Sequence, residues 1–154
     1  MHTLFIMRHG QAESVAPTDA QRPLTSLGMQ QALESAVENL AFVEFDHVFV
    51  SPFLRAQQTW QQVQKADVSS KHIETVEWIT PDVPTQPALD HLVQLPGDKL
   101  NILLVCHQTF AGRLATHLID GNAQGMHVDV AAVVKIETEV FAGGCGTLVG
   151  DFEA

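Results

Sequence analysis

The sequence predicts an α/β fold, a three-layer α/β/α sandwich around a mainly parallel sheet, and three observations carry that reading. Three short apolar runs, Leu4-Phe5-Ile6-Met7, His47-Val48-Phe49-Val50 and Asn101-Ile102-Leu103-Leu104-Val105-Cys106, have the length and character of strands buried on both faces. Segments with apolar residues at helical spacing separate them, and alternating strands and helices pack as helix layers on a sheet. Each run also ends alike: Arg8-His9-Gly10 follows the first, Ser51-Pro52-Phe53-Leu54-Arg55 the second and His107 the third. Ligands of open α/β sheets bind at the carboxyl ends of the strands. If the three strands share one parallel sheet, two arginines and two histidines meet at one edge of it.

The elements follow in order. Thr3–Met7 reads as the first strand, and the polar stretch after it, with Pro17 and Pro23, is long enough for a working loop. Thr25 is placed to cap a helix in which Met29, Leu33, Ala36, Val37 and Leu40 repeat at helical spacing. After the strand His47–Val50, Ser51 as N-cap and Pro52 at the first helical position start a second helix, with Phe53, Ala56, Trp60 and Val63 as its buried stripe. Ile73–Trp78 reads as a short strand, and Pro87–Leu95 as a short helix. The strand Asn101–Cys106 leads to a helix with Ala111, Leu114, Ala115 and Leu118 on one face. Val128, Val130, Ala132, Val134 and Ile136 alternate as in a strand, and Gly143-Gly144-Cys145-Gly146 turns the chain into a last strand near Thr147–Phe152, an edge hairpin.

A chain of 154 residues is the size of one domain and can bury roughly 70% of its unfolded surface. The expectation is therefore a single domain over residues 1–154. The first residues lack the charged and apolar regions of a signal peptide, and no apolar run spans a bilayer, so a cytoplasmic protein is expected. The formal net charge of −10 argues against nucleic acid or an anionic membrane as partner. It also makes the arginines informative, because there are only four: Arg8, Arg22, Arg55 and Arg113. Cys106 reads as a buried strand residue and Cys145 as a turn residue, without a disulfide framework.

Strand-end arginines and histidines suit phosphoryl chemistry. Phosphoryl transfer is mainly a matter of positioning and charge neutralisation, and the guanidinium fork binds two oxygens at once while remaining protonated. One charge pair near 4 Å is worth about 4 kcal/mol at intermediate dielectric, before desolvation is subtracted. Arg55, in the first turn of its helix, adds the helix dipole to that attraction. A neutral imidazole can attack phosphorus while its other nitrogen donates to a backbone carbonyl. His9 suits that role because Gly10 lets the chain turn tightly beneath the ring; His107 would bond a phosphoryl oxygen. His2, His47, His72, His91, His117 and His127 read as polar residues leaving the core, and they lack metal-ligand spacing. Arg113 reads as a surface residue of its helix. Cys106 and His107 point to opposite faces as neighbours on a strand, which argues against a thiol–imidazole pair.

The segments Phe5-Ile6-Met7-Arg8-His9-Gly10, Arg22-Pro23-Leu24-Thr25 with Gly28, Ser51-Pro52-Phe53-Leu54-Arg55-Ala56 with Thr59, and Val105-Cys106-His107 are similar to those of the histidine phosphatase superfamily, with its phosphoglycerate mutase-like fold. Within it the chain resembles the SixA-type phosphohistidine phosphatases. The resemblance implies a six-stranded mixed sheet with one antiparallel strand, a transiently phosphorylated His9, and a phosphate pocket of Arg8, Arg55 and His107. It implies Arg22 as a further substrate or phosphate contact, and no metal or organic cofactor. Gln11 stands where the subgroup often has an acidic residue, and Gln108-Thr109 replaces its commoner small-or-proline context. The general acid has no assigned residue; Glu13 and Asp19 in the first loop are the candidates.

Between the Arg55 helix and the third strong strand there is no room for a large lid, so the expected site is open and suits a phosphorylated side chain of another protein. The expected function is hydrolysis of phosphohistidine on a histidine-phosphotransfer domain or a phosphocarrier, through phospho-His9, with inorganic phosphate as product. Two rival readings stand beside it. A small-molecule phosphomonoesterase or mutase of the same superfamily would need a carboxylate donor and a more enclosed pocket. A non-catalytic phosphohistidine-binding module could keep the arginines and lose the nucleophile.

Overall fold

A computed structural model describes residues 1–152 of the chain, with one six-stranded sheet between two layers of helix. The strands are β1 (His2–Arg8), β2 (Phe45–Val50), β3 (Ser70–Thr75), β4 (Asn101–Cys106), β5 (Val133–Thr138) and β6 (Gly146–Phe152). The helices are α1 (Ser26–Asn39), α2 (Leu54–Lys65), α3 (Gln86–Val93) and α4 (Phe110–Asp120). Strand order is β3-β2-β4-β1-β5-β6. The first four strands of the chain are parallel where they pair, and β5 runs antiparallel to both β1 and β6. This is the mixed sheet expected, with β5–β6 as its hairpin. Among the described residues, no helix is long and apolar enough to cross a membrane.

The central strands are apolar throughout because both faces are covered. Leu4, Ile6, Ile102, Leu104, Val134 and Ile136 pack towards α3 and α4. Their neighbours Phe5, Met7, Leu103, Val105 and Val133 pack towards α1 and α2. Period-two alternation thus feeds two separate cores from the same strands.

Four expectations are corrected. The second helix begins at Leu54 and not at Pro52, with Phe53 still extended (φ −64, ψ 139). Ser51 is held to the sheet by its N–H on the Val105 carbonyl at 3.1 Å, so the chain stays extended past the proline. The buried stripe of α1 is Gly28, Ala32, Ser35 and Ala36, with Leu40 behind it. Val37 is 55% exposed, because small residues let α1 lie close to its neighbours and leave no room for a branched one. The short strand expected at Ile73–Trp78 is β3, three residues earlier, and Glu77–Ile79 forms a 3-10 turn. The alternating run from Val128 becomes strand only at Val133. Ala131 has a left-handed φ of 58, and the Ala132 N–H closes a turn on the Asp129 carbonyl. The apolar residues there pack under the strand ends and not along the sheet. Thr25 does cap α1, its hydroxyl accepting the Gly28 N–H at 2.9 Å.

Candidate active site

β1 and β4 are adjacent and in register, with Arg8 opposite Cys106. His9 and His107 therefore leave the sheet at the same level, and the His9 N–H donates to the Cys106 carbonyl at 3.0 Å. β2 lies on the other side of β4 and delivers Ser51 and then α2, whose first turn carries Arg55. The His9 and His107 rings meet edge to face at 5.2 Å. Arg8, His9, Arg55 and His107 are thus brought together at one sheet edge.

The ring of His9 is fixed from both sides. Its Nδ1 lies 2.6 Å from the Gly10 carbonyl, which can only accept, so Nδ1 carries the proton. Nε2 keeps its lone pair and accepts from Arg55 Nε at 3.2 Å. Burial lowers the His9 pKa to about 4; the Gly10 bond works against this, and the positive charges of Arg55, Arg8 and Arg22 add to it. His107 is fully buried. Its pKa falls to about 2, again chiefly through burial, with His9 and Arg55 next. Both imidazoles are neutral at physiological pH.

The arginines differ in their anchoring. Arg8 donates to the Val128 carbonyl at 3.0 Å, which gives the irregular segment before β5 its place in the site. Arg55 is held by Asp19, through the main-chain carbonyl at 2.7 Å and the carboxylate at 3.1 Å. Arg22 meets the same carboxylate at 2.9 Å and the Glu13 carbonyl at 2.6 Å. Asp19 therefore bridges two arginines, and its carboxyl is held below the ordinary range first by the Arg22 hydrogen bond; burial opposes this, and the Arg55 hydrogen bond and the charges of both arginines outweigh that opposition. The Glu13 carboxylate makes no hydrogen bond or ion pair among the described residues; only its backbone takes part. Arg113 is no plain surface residue: it donates to the Val83 and Pro81 carbonyls. The Cys106 thiol, fully buried, is pushed up to about 12, which leaves it inert.

The two glutamines that depart from the resembled pattern have structural partners. Gln11 ties the first loop down through Gln31 and Thr25. Gln108 accepts the Gly112 N–H at the start of α4 and donates to the Met126 carbonyl. Three residues around the site escaped sequence reasoning as contacts. Thr59 accepts the Gly10 N–H at 3.2 Å, Phe53 stacks beneath the Arg55 guanidinium at 5.0 Å, and Ser51 lies 2.7 Å from His107 Nε2. Ser51 and Thr59 stand in the strings that carried the resemblance, so position marked them although no contact did.

Two buried side-chain polar atoms lack a partner among the described residues, Arg8 Nε and His107 Nδ1. Both belong to this cluster. Leaving such a group unsatisfied costs about 1–3 kcal/mol, and acceptor oxygens of a bound anion would relieve it.

An α/β sandwich that gathers arginines around a neutral histidine at the carboxyl edge of its sheet has the build of a phosphate-handling enzyme. Residues 4–77 match the histidine phosphatase superfamily (branch 1). The chain is 34% identical to the phosphohistidine phosphatase SixA homolog of Haemophilus influenzae over 125 residues, 75% of this chain and 76% of that one. It is 32% identical to the Escherichia coli phosphohistidine phosphatase SixA over 125 residues, 80% and 78% of the two chains. The structure of the protein histidine phosphatase SixA complexed with tungstate superposes with a TM-score of 0.87 at 29% identity, covering 98% of this chain and 96% of that one. The chain is a hydrolase of the histidine phosphatase superfamily, and it belongs among the SixA homologues.

Proposed function

We propose that this chain hydrolyses phosphohistidine on a protein, through a phospho-His9 intermediate. The observation that carries the reading is the pair of buried orphan nitrogens, Arg8 Nε and His107 Nδ1, in the same cluster as the unprotonated His9 Nε2, whose lone pair now takes only the Arg55 Nε–H. A phosphoryl group on Nε2 would offer oxygens to both, and tungstate, with which SixA forms a complex, is a tetrahedral oxyanion of the same kind.

In the first step the His9 Nε2 lone pair forms a bond to phosphorus, and the P–N bond to the substrate's imidazole breaks. The substrate's imidazole carries a proton on its other ring nitrogen, so it leaves neutral with the P–N electron pair, while His9, which keeps its Nδ1–H, becomes the phosphorylated cation. In the second step water attacks phosphorus, the P–N bond to His9 breaks, and inorganic phosphate departs with His9 neutral again. Arg8, Arg55 and His107 hold the equatorial oxygens as charge redistributes. Arg22 shares the Asp19 carboxylate with Arg55 and serves as a further substrate or phosphate contact. A protonated imidazole is a far better leaving group than an alkoxide, so the reaction asks little of a general acid. Asp19, ionised and shared by two arginines, suits the orienting of Arg55 better than the giving of a proton.

The segment between α2 and β4 packs beside the sheet, with Ala88, Leu89 and Leu92 of α3 in the core. That arrangement favours an uncovered site reached by another protein, either a histidine-phosphotransfer domain or a phosphocarrier. The test is phosphate release from both kinds of phosphoprotein and from small phosphate esters. The expected result is hydrolysis of a phosphohistidine protein, its loss in His9→Ala, and a fall of about 10²–10³ in kcat in Arg55→Ala, the range for losing one such donor. Arg8→Lys should also lose activity, since a point charge cannot reproduce the fork. Full turnover in His9→Ala would overturn the mechanism; preference for a small ester would overturn the substrate.

A further inference from the structure

Ser51 and His107 are both completely buried, and the serine oxygen lies 2.7 Å from His107 Nε2. The same oxygen accepts the Phe53 N–H at 3.3 Å. A hydroxyl has one proton to give, and two arrangements are open to this pair. If Nε2 carried the proton and donated to Ser51, the serine proton would have no acceptor and His107 Nδ1 would present a bare lone pair. Two buried groups would then go unsatisfied. If Ser51 donates to Nε2 instead, its own bonding is complete, and only the Nδ1–H is left over.

We propose that the Ser51 hydroxyl sets the tautomer of His107, donating to Nε2 so that Nδ1 carries the proton offered to the phosphoryl oxygen. Ser51 is a positioning residue. It acts through His107, and the inference rests on the reading of His107 as a phosphoryl ligand. The groups facing His107 agree with a neutral donor. The neutral His9 ring lies edge to face at 5.2 Å with the Arg55 cation bonded behind it, Phe53 lies edge to face at 5.1 Å, and Asp19, the nearby acid, is already committed to Arg22 and Arg55. The wrong tautomer would not only lose a hydrogen bond. It would turn a lone pair towards an oxygen bearing negative charge, most damagingly in the transition state.

The test uses the full chain, labelled with 15N and free of bound oxyanion, and long-range proton–nitrogen NMR reads which nitrogen of His107 is protonated at pH 7. Phosphate release from a phosphorylated histidine-phosphotransfer domain and tungstate affinity are measured on the same proteins. The expected wild-type spectrum has the proton on Nδ1. Ser51→Ala should move it to Nε2, lower kcat by about 10–100-fold, somewhat less than the loss of a whole donor, and weaken tungstate binding. Ser51→Thr, which keeps the hydroxyl, should retain the tautomer and recover most of kcat. A wild-type proton on Nε2 overturns the proposal on its own, whatever becomes of the variants. A Ser51→Ala protein that keeps the Nδ1 proton overturns it as well, at any level of activity. If the wild type binds tungstate and shows Nδ1–H but hydrolyses no phosphohistidine protein, the substrate reading fails and the tautomer assignment survives.

Discussion

Asp19 separates two residue-scale accounts of the site. A proton donor must be protonated for part of the cycle, whereas a carboxylate that bridges Arg22 and Arg55 works only while ionised. Its carboxyl is held low by those arginines, and Arg55, only 4% exposed, depends on it for two of its three bonds. The expected outcome is therefore graded: Asp19→Asn, which can still accept a hydrogen bond, stays within about threefold of wild-type kcat, and Asp19→Ala loses about tenfold through a loosened Arg55. Steady-state kinetics checks this, and a collapse in Asp19→Asn as deep as in His9→Ala would make Asp19 the donor after all. The convergence of Arg8, His9, Arg55 and His107 was legible because each follows closely on an apolar run, and strand ends converge. Ser51 was misread as a helix cap because Ser-Pro is also a helix-start pattern. Nothing local in the sequence says that β4 will bring His107 to that hydroxyl.

At the scale of elements, the site depends on how closely the first loop can lie against α1. The isolated Ala12–Leu24 bridge closes that loop, and Gln58 of α2 accepts the Leu24 N–H at 2.7 Å. Gly10 and Gly28 permit the contact: a Cβ on Gly10 would stand 2.3 Å from the Gly28 carbonyl oxygen, and one on Gly28 would stand 2.0 Å from that of Gln11. Both obstacles are backbone, which cannot swing aside. Gly28→Ala should cost about 1–3 kcal/mol by overpacking and should lower kcat by shifting the loop that carries Asp19. Urea denaturation reads the first effect, and an unchanged midpoint would show that the loop has slack. Element type was readable almost throughout, since period-two and helical repeats are local signals. Boundaries were not. β5 starts late because Val128 and Ala131 are buried under the strand ends, and burial leaves the same apolar mark on a sequence as a strand does. The stripe of α1 was misplaced for the converse reason: a close helix contact selects Gly, Ala and Ser, which carry no hydropathy signal.

The whole molecule stores the cost of the site in its response to acid. His9 and His107 are held neutral in the fold, with pKa values of about 4 and about 2, mainly by burial, while both return to about 6.5 when the chain unfolds. Above that value neither state binds a proton and the pair contributes no pH dependence. As pH falls below it, the unfolded chain takes up two protons that the native chain refuses, so stability drops. The slope approaches about 1.4 kcal/mol per pH unit for each histidine, or about 2.7 for the pair, until His9 begins to protonate in the native state near pH 4. His2 and His47, also lowered and chiefly by burial, add smaller terms of the same sign. Between pH 6.5 and 5 the carboxylates are still ionised in both states, which makes this the window to examine. Unfolding free energies from urea at several pH values there should fall steadily in the wild type, and His9→Gln should remove about half of the pair's contribution. A curve flat from pH 6.5 to 5 would mean that both imidazoles are charged in the fold, since one neutral imidazole alone would leave half of the slope. That result would remove the lone pair on which the nucleophilic role of His9 depends.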